Sequence, residues 1–361
     1  MKLTVKTETL QSLVAKSMKG ASCNKMIPIT SLMAISLDDK GNLELVTTDV
    51  NNYLYVREPK VAGEKFYVVV QAEIFSKLIS RLTCEEVSLE VVDNILKVTG
   101  NGNYSIELPL NEEGELIKFP NPIDPFQMEP KAEIPKIQLS TIKLILSTAK
   151  SALSTTNDVP CYTGYYAGKN VIATDTYKIC GIDIKLFDKP ALINPDMMNL
   201  FDVMTEEEIK VYQNEDALMF ETANCVIYGK VMPEIDDYAV EPISELLSQE
   251  FKSSCKVSKS ALLQLLDRLS LFVSPYDKNA IMLTFTNTGL CVTSKKASGV
   301  ETLEYLECNN AKDFICNIDI DMFTTQIKAH QSDSVEIQYG EDNAIKMPDG
   351  KITQIVGLLD E

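Results

Sequence analysis

The sequence has no tryptophan, a single histidine, no C-x-x-C pair, and far fewer basic than acidic residues, 34 against 52. Each shortage removes a class of function. With one imidazole in the chain, a mechanism that needs histidine as base or ligand has one candidate, His330. It lies in the polar stretch Gln326-Ile327-Lys328-Ala329-His330-Gln331 with no patterned nucleophile beside it. It therefore reads as a surface residue, not as part of a cysteine or histidine hydrolase. Nine cysteines, an odd number scattered from Cys23 to Cys316, indicate neither a disulfide framework nor a zinc knuckle and read as reduced and mostly buried. No G-x-x-x-x-G-K-[ST] or G-x-G-x-x-G occurs, and Gly100-Asn101-Gly102 reads as a hairpin turn. The acidic run Thr205-Glu206-Glu207-Glu208 lacks metal-ligand spacing and reads as a solvated turn, so neither metal nor cofactor is expected. No run approaches the ~18 apolar residues of a membrane span. The opening Met1-Lys2-Leu3-Thr4-Val5 alternates like a strand, unlike a signal peptide, and the expected location is cytoplasmic.

What is present is a globular composition, 45% hydrophobic and 24% charged, in 361 residues, long enough for two or three domains. The formal net charge of −18 is the wrong sign for nucleic-acid binding over the whole surface, so any DNA contact must be local.

An internal repeat fixes the organisation. A strand runs into an amphipathic helix at Tyr67–Ile79, Ala191–Phe201 and Phe314–Phe323, and each is followed by a polar turn and alternating strands opening at Glu86, Glu208 and Ser334. Upstream lie the turn-and-strand segments Gly41–Asp49, Gly168–Asp175 and Gly289–Ser294. Before those comes a first helix in each repeat, Thr7–Lys19, Ser140–Thr155 and Ser258–Val273, with Ser140 and Ser258 as candidate N-caps. Proline-rich joins at Pro120–Pro125 and Pro233–Pro242 place boundaries near 125 and 247, giving modules 1–125, 126–247 and 248–361. Two helices against antiparallel sheets per unit make an α+β module.

The three repeats, the acidic total, Ala173-Thr174-Asp175-Thr176-Tyr177-Lys178-Ile179, Ile27-Pro28-Ile29, Thr48-Asp49, Asp158–Gly164 and Asp237-Tyr238 together resemble the bacterial sliding clamp, the beta subunit of DNA polymerase III. The resemblance spans the full length. It implies a head-to-tail dimeric ring of three modules per protomer that encircles double-stranded DNA without sequence readout and acts as a non-catalytic processivity factor. Its implied partners are a replicative polymerase subunit, an ATP-dependent clamp loader, and replication and repair proteins carrying short clamp-binding peptides. Such a ring works by topological linkage, so its phosphate contacts need only be weak.

The helices are expected to line the hole, at 7–19, 72–82, 139–156, 194–205, 258–273 and 318–330, and together they carry a net +2 against −20 for the rest. DNA-facing candidates are Lys16, Lys19, Lys77, Arg81, Lys143, Lys150, Lys259, Arg268 and Lys328, with Lys25 in the turn after the first helix. The segment 194–205 has no basic residue.

The resemblance also implies an apolar peptide-binding cleft at Tyr162, Thr174, Thr176, Tyr177, Lys178 and Ile179, at Asp236, Val240 and Glu241, and at Ala344, Ile355, Val356, Gly357, Leu358 and Leu359. Departures from the family's pattern, Thr176-Tyr177-Lys178-Ile179 for Gly-His-Arg-Leu, Asp236 for proline, Glu241, and a tail ending Gly357-Leu358-Leu359-Asp360-Glu361, make the rim more acidic and imply an altered peptide preference. The implied protomer seam places Tyr104 and Ile106 against Leu271 and Phe272. The alternative is an acidic protein-interaction scaffold derived from a clamp that never encircles DNA.

Overall fold

The structure, a computed structural model, describes residues 2–22, 24, 26–123, 134–294, 299–303, 307–309, 312–340 and 343–359. Lys25 and the last two residues of the first proline-rich join, 124 and 125, lie outside them.

The chain opens with β1 (Lys2–Lys6), α1 (Thr7–Ser17), β2 (Leu32–Leu37), β3 (Leu43–Thr48), β4 (Asn52–Glu58), β5 (Ala62–Gly63), β6 (Phe66–Gln71), α2 (Ala72–Ile79), β7 (Glu86–Val92), β8 (Ile95–Thr99) and β9 (Asn103–Glu107). The same order returns in β10 (Lys136–Gln138), α3 (Leu139–Thr148), β11 (Tyr165–Ala167), β12 (Val171–Thr174), β13 (Lys178–Ile182), β14 (Ala191–Ile193), α4 (Pro195–Leu200), β15 (Glu208–Gln213), β16 (Ala217–Glu221) and β17 (Cys225–Lys230). After a short helix α5 (Val240–Ser248) it returns once more in β18 (Ser253–Ser258), α6 (Lys259–Leu269), β19 (Ala280–Phe285), β20 (Leu290–Ser294), β21 (Val300–Leu303), β22 (Glu307–Asn309), β23 (Phe314–Asp319), α7 (Ile320–Ala329), β24 (Ser334–Tyr339), β25 (Ala344–Asp349) and β26 (Ile352–Gly357).

Backbone packing divides the chain into two compact units, Met1–Ile142 with Asp196–Val231, and Lys143–Pro195 with Met232–Glu361. The division cuts the middle repeat because its strands are shared out. In the first unit β17 pairs with β4, fusing strands of the first two repeats into an eight-stranded sheet, β10-β15-β16-β17-β4-β3-β2-β6. In the second, β13 pairs with β26 in a nine-stranded sheet, β14-β11-β12-β13-β26-β25-β24-β18-β22. Each unit has a smaller sheet too, β5-β1-β7-β8-β9 in the first and β21-β20-β19-β23 in the second. The pairings are antiparallel; β8, β18 and β24 alternate in exposure, whereas β4, β12 and β17 are buried on both faces.

The helices bury stripes at helical spacing: Leu10, Leu13 and Val14 on α1, Phe75 and Ile79 on α2, Leu262, Leu265, Leu266 and Leu269 on α6, and Phe323 and Ile327 on α7. Ser258 caps α6, its Oγ accepting the Ala261 N–H, and Asp319 caps α7 by accepting from Asp321 and Met322 at 2.8 and 2.9 Å. The second unit's core includes Phe285 stacked on Tyr339, ring centres 4.0 Å apart.

Four expectations are corrected. Ser140 does not cap α3, which begins one residue earlier; Glu207 does that work from outside, its Oε1 accepting the Ser140 N–H at 3.0 Å. The acidic run lies at an exposed bend leading into β15: Thr205, Glu207 and Glu208 are exposed, and only Glu206, which accepts from Thr205, is half-buried. The helices are shorter than their apolar stripes, because α1, α3, α4 and α6 give way to 3-10 turns at Met18–Gly20, Lys150–Ala152, Phe201–Val203 and Ser270–Phe272. After α3, Ser154 bonds to the Thr156 carbonyl, the local competition that Ser/Thr runs offer against a helix. Helix α5 stands where a join was expected, with Pro242 in its first turn, where the missing N–H costs nothing. His330 is 1% exposed, its ring between the Ser334 carbonyl (3.2 Å) and Gln354 Oε1 (3.4 Å) with Asp349 at 3.6 Å.

Candidate functional site

The hairpin turn from Thr174 to Lys178 is built by its own side chains. Thr174 Oγ1 donates to the Lys178 carbonyl (2.7 Å) and accepts the Thr176 N–H (3.0 Å), while Asp175 Oδ1 accepts the N–H groups of Tyr177 and Lys178. This network holds Thr176 at φ 79°, a conformation unfavourable for a β-branched residue. The Lys178 ammonium is folded inward, 3.2 Å from Asp175 Oδ2 and donating to the Ser151 carbonyl at 2.9 Å. Tyr177 stands 61% exposed at the tip, and its carbonyl accepts the Gly357 N–H.

Beyond the turn, one face of the second unit's large sheet gathers an apolar cluster. It joins Cys161, Tyr166, Ile172, Ile179, Leu192, Tyr238, Ile243, Ala344 and Ile355, with Tyr162, Met232, Ile235, Ala239, Val240, Leu246 and Leu247 half-buried over it. The strands supply alternate residues: Ile179 lies opposite Ile355 and Ala344 opposite Gly357. Tyr238 is the keystone, edge-on to Tyr162 (5.1 Å), stacked on Tyr166 (5.3 Å) and donating to the Ile172 carbonyl (3.2 Å). Helix α5 lies over the sheet, with Leu247 in the space over Gly181, where a Cβ would come within 2.5 Å of it. Lys346 is buried and its ammonium donates to the carbonyls of Leu247 (2.7 Å) and Gln249 (2.8 Å), holding the helix's C-terminal end. Burial lowers the Lys346 pKa, and it raises those of the Tyr238 and Tyr166 phenols and the Cys161 thiol.

Five of the residues expected in the cleft, Tyr162, Ile179, Val240, Ala344 and Ile355, meet in this cluster. Thr174, Thr176, Tyr177, Lys178 and Gly357 form the turn at its end, and Asp236 and Glu241 are exposed on segments that border it. Val356 is not brought to it. It points to the opposite face of β26, into the core with Phe285, and Leu358 packs against that same core. Leu359 instead forms a bridge to Asn317. Tyr166, Tyr238, Ile243, Leu246 and Leu247 were not anticipated, although the spacing Val240, Ile243, Leu247 is that of a helix face.

The basic candidates are scattered over the exposed helix faces. Lys19, Arg81, Lys143, Lys150, Arg268 and Lys328 are exposed, and Lys77 is paired with Glu73 one turn away. Lys16 is half-buried in a cavity of about 310 Å³ with Glu8, Arg57, Glu58 and Asn224. Lys259 turns to the carbonyls of Lys328 and His330, serving as a cap for α7. Of the seam candidates, Tyr104, Leu271 and Phe272 are 38%, 80% and 44% exposed, whereas Ile106 is buried. Ile74 on α2 is also exposed at 57%, and Phe272 packs against Gly299 just before β21.

Residues 1–117 match the DNA polymerase III beta subunit, N-terminal domain. The Bacillus subtilis beta sliding clamp is 22% identical over 307 residues, covering 79% of this chain and 78% of that protein. The crystal structure of the DNA polymerase sliding clamp from the same organism superposes with a TM-score of 0.86 at 17% identity, over 100% of this chain and 99% of that one. The chain has the sliding-clamp fold. Two more clamps with this fold cover both chains in full at TM-score 0.85 and 15% identity: the Streptococcus pyogenes beta subunit and a Pseudomonas aeruginosa sliding clamp bound to griselimycin.

Proposed function

We propose that this chain is a DNA polymerase processivity factor, a sliding clamp that encircles duplex DNA and tethers replication and repair proteins by short peptides docked on the apolar face of its second unit. The observation that carries the reading is end-to-end correspondence with sliding clamps, 100% of the chain at TM-score 0.86. The three repeats are its three modules, bounded near 125 and 247. On this reading the protein catalyses nothing; its partners are a replicative polymerase and an ATP-driven loader, and it works in the cytoplasm.

The sheet topology supports a ring of two copies. Counted by position in the repeat, β9 corresponds to β17 and β26, and β21 to β4 and β13. The pairs β17–β4 and β26–β13 are made within the chain, while β9 and β21 are each the edge strand of a sheet. An unpaired edge is a template for another chain, and β9 of one copy against β21 of the next supplies the missing joint. Tyr104 on β9, with Leu271 and Phe272 beside β21, then forms the apolar seam, with Ile74 as an addition. DNA contact falls to the exposed helix faces, through Lys19, Arg81, Lys143, Lys150, Arg268 and Lys328, and is weak and salt-sensitive. The chain's acidity is then no obstacle, since the tether is topological.

Light scattering across a dilution series is expected to give twice 40.2 kDa. Loaded protein should stay on closed circular DNA and be lost when the circle is cut. A persistent monomer with no dependence on topology would overturn the ring in favour of a non-encircling scaffold.

A further inference from the structure

We propose that the peptide taken by the apolar face of the second unit carries lysine or arginine next to its apolar anchors, drawn by the carboxylates of Glu234, Asp236, Asp237 and Glu241. The inference rests on the peptide-docking reading above and specifies the chemistry of the partner.

These four carboxylates alternate with members of the cluster. Ile235, Tyr238, Ala239 and Val240 pack on it, and the acidic residues lie between and beside them on the 3-10 turn Glu234–Asp237 and the first turn of α5. Asp237 is tied in place by its main chain, its carbonyl accepting from Cys161 Sγ at 3.7 Å. Asp236, Asp237 and Glu241 are exposed and Glu234 half-exposed, and none of the four forms an ion pair among the described residues.

The cations on the supporting strands are already engaged. Lys178 is held by Asp175 and the Ser151 carbonyl, and Lys346 is buried under α5. The field of the rim therefore goes unanswered. It reaches the cluster, since Asp237 and Glu234 add to burial in raising the Cys161 pKa, and Glu241 adds to burial at Tyr166. Tyr162, half-buried over the cluster, also provides an aromatic ring, to which a guanidinium or ammonium is attracted. An acidic peptide docking here would face like charge, whereas a basic one gains in association rate and orientation.

The test is fluorescence anisotropy on the full-length protein with three synthetic peptides that share leucine and phenylalanine anchors and are flanked by lysines, serines or glutamates. The lysine peptide is expected to bind about tenfold more tightly than the serine peptide at low salt, with the glutamate peptide weakest. That order should collapse near ~0.5 M salt, where exposed charges are screened. The quadruple variant Glu234→Gln, Asp236→Asn, Asp237→Asn and Glu241→Gln should bring the lysine peptide to the affinity of the serine peptide. If all three bind equally, or the glutamate peptide binds best, the inference falls while docking stands. If none binds, the docking reading falls and takes the inference with it.

Discussion

The two units carry the same sheet face in two versions. In the first, Tyr53 lies opposite Tyr228; in the second, the same register places Ile179 opposite Ile355. Ala34 between Val46 and Val69 answers to Tyr166 between Ile172 and Leu192. Ala217 corresponds to Ala344, and even the Lys230 N–H to the Asn51 carbonyl is repeated as Gly357 to Tyr177. The backbone is held constant while side-chain volume changes. In the first unit tyrosines fill the face: Tyr53 packs edge-on to Tyr228 and Phe119, and Tyr55 donates to Asn121. The second has Gly181 at the place of Tyr55 and smaller aliphatics at the floor, and an added helix supplies Leu247 to cover the glycine. A repeated scaffold can thus close one copy of a surface with its own rings and cover the other with an added helix.

The most severe way to erase this difference is to give the second unit the first unit's residues. Ile179→Tyr with Ile355→Tyr should abolish peptide binding, a loss of at least about 100-fold by anisotropy, because overpacked rings take the anchors' place. In the other direction, Tyr53→Ala should destabilise the first unit by about 3 kcal/mol in denaturant melts while leaving peptide affinity unchanged. An unchanged melting midpoint would mean that the rings do not hold the face. Gly181→Ala forces Leu247 away and should cost about 1–3 kcal/mol, with faster hydrogen exchange in α5.

Smaller effects come from the turns, where the two units agree. Val50 at φ 89° and Thr176 at φ 79° sit in the same Thr-Asp turn, each a β-branched residue where glycine is at ease. Val50→Gly and Thr176→Gly should each stabilise by about 0.5–1 kcal/mol, strain relief exceeding the added backbone entropy. The last effect depends on pH and belongs to the second unit alone. Burial by itself would raise the Asp349 pKa, but hydrogen bonds from Ser332 and the Gln331 N–H, with His330 nearby, leave it lowered. Its folded-state pKa therefore lies below its unfolded value, so the stability it contributes is present above about pH 4 and is lost as pH falls through the folded pKa. Asp349→Asn should lower the urea midpoint at neutral pH, with an effect that shrinks progressively as pH falls below about 4.

Much of this was legible in the sequence, for physical reasons. Period-two strands, stripes at helical spacing and the Thr-Asp turns repeat in order, so the α+β elements could be placed by pattern alone. Ile179, Ala344 and Ile355, named through the resemblance, do meet in one apolar cluster. What pattern could not give was direction and sharing. Val356 and Ile355 are adjacent apolar residues, and only the register of β26 shows that one faces the cluster and the other the core. His330 looked exposed because its neighbours are polar, yet the partners that bury it, Gln354 and Asp349, lie on later strands. Helix α5 was hidden by Pro242, a breaker elsewhere and harmless in a first turn.

The pairing of β17 with β4 also bears on synthesis. As the chain leaves the ribosome, the strands of the first repeat are complete long before the last strand of the middle repeat exists, so β4 waits as a bare edge. The same holds for β13, which waits for β26 at the far end of the chain. Such distant pairing slows folding and leaves both edges open to wrong partners. A nascent chain stalled before residue 225 should therefore aggregate more readily than the finished protein, and the risk ends for each sheet only when its late strand arrives.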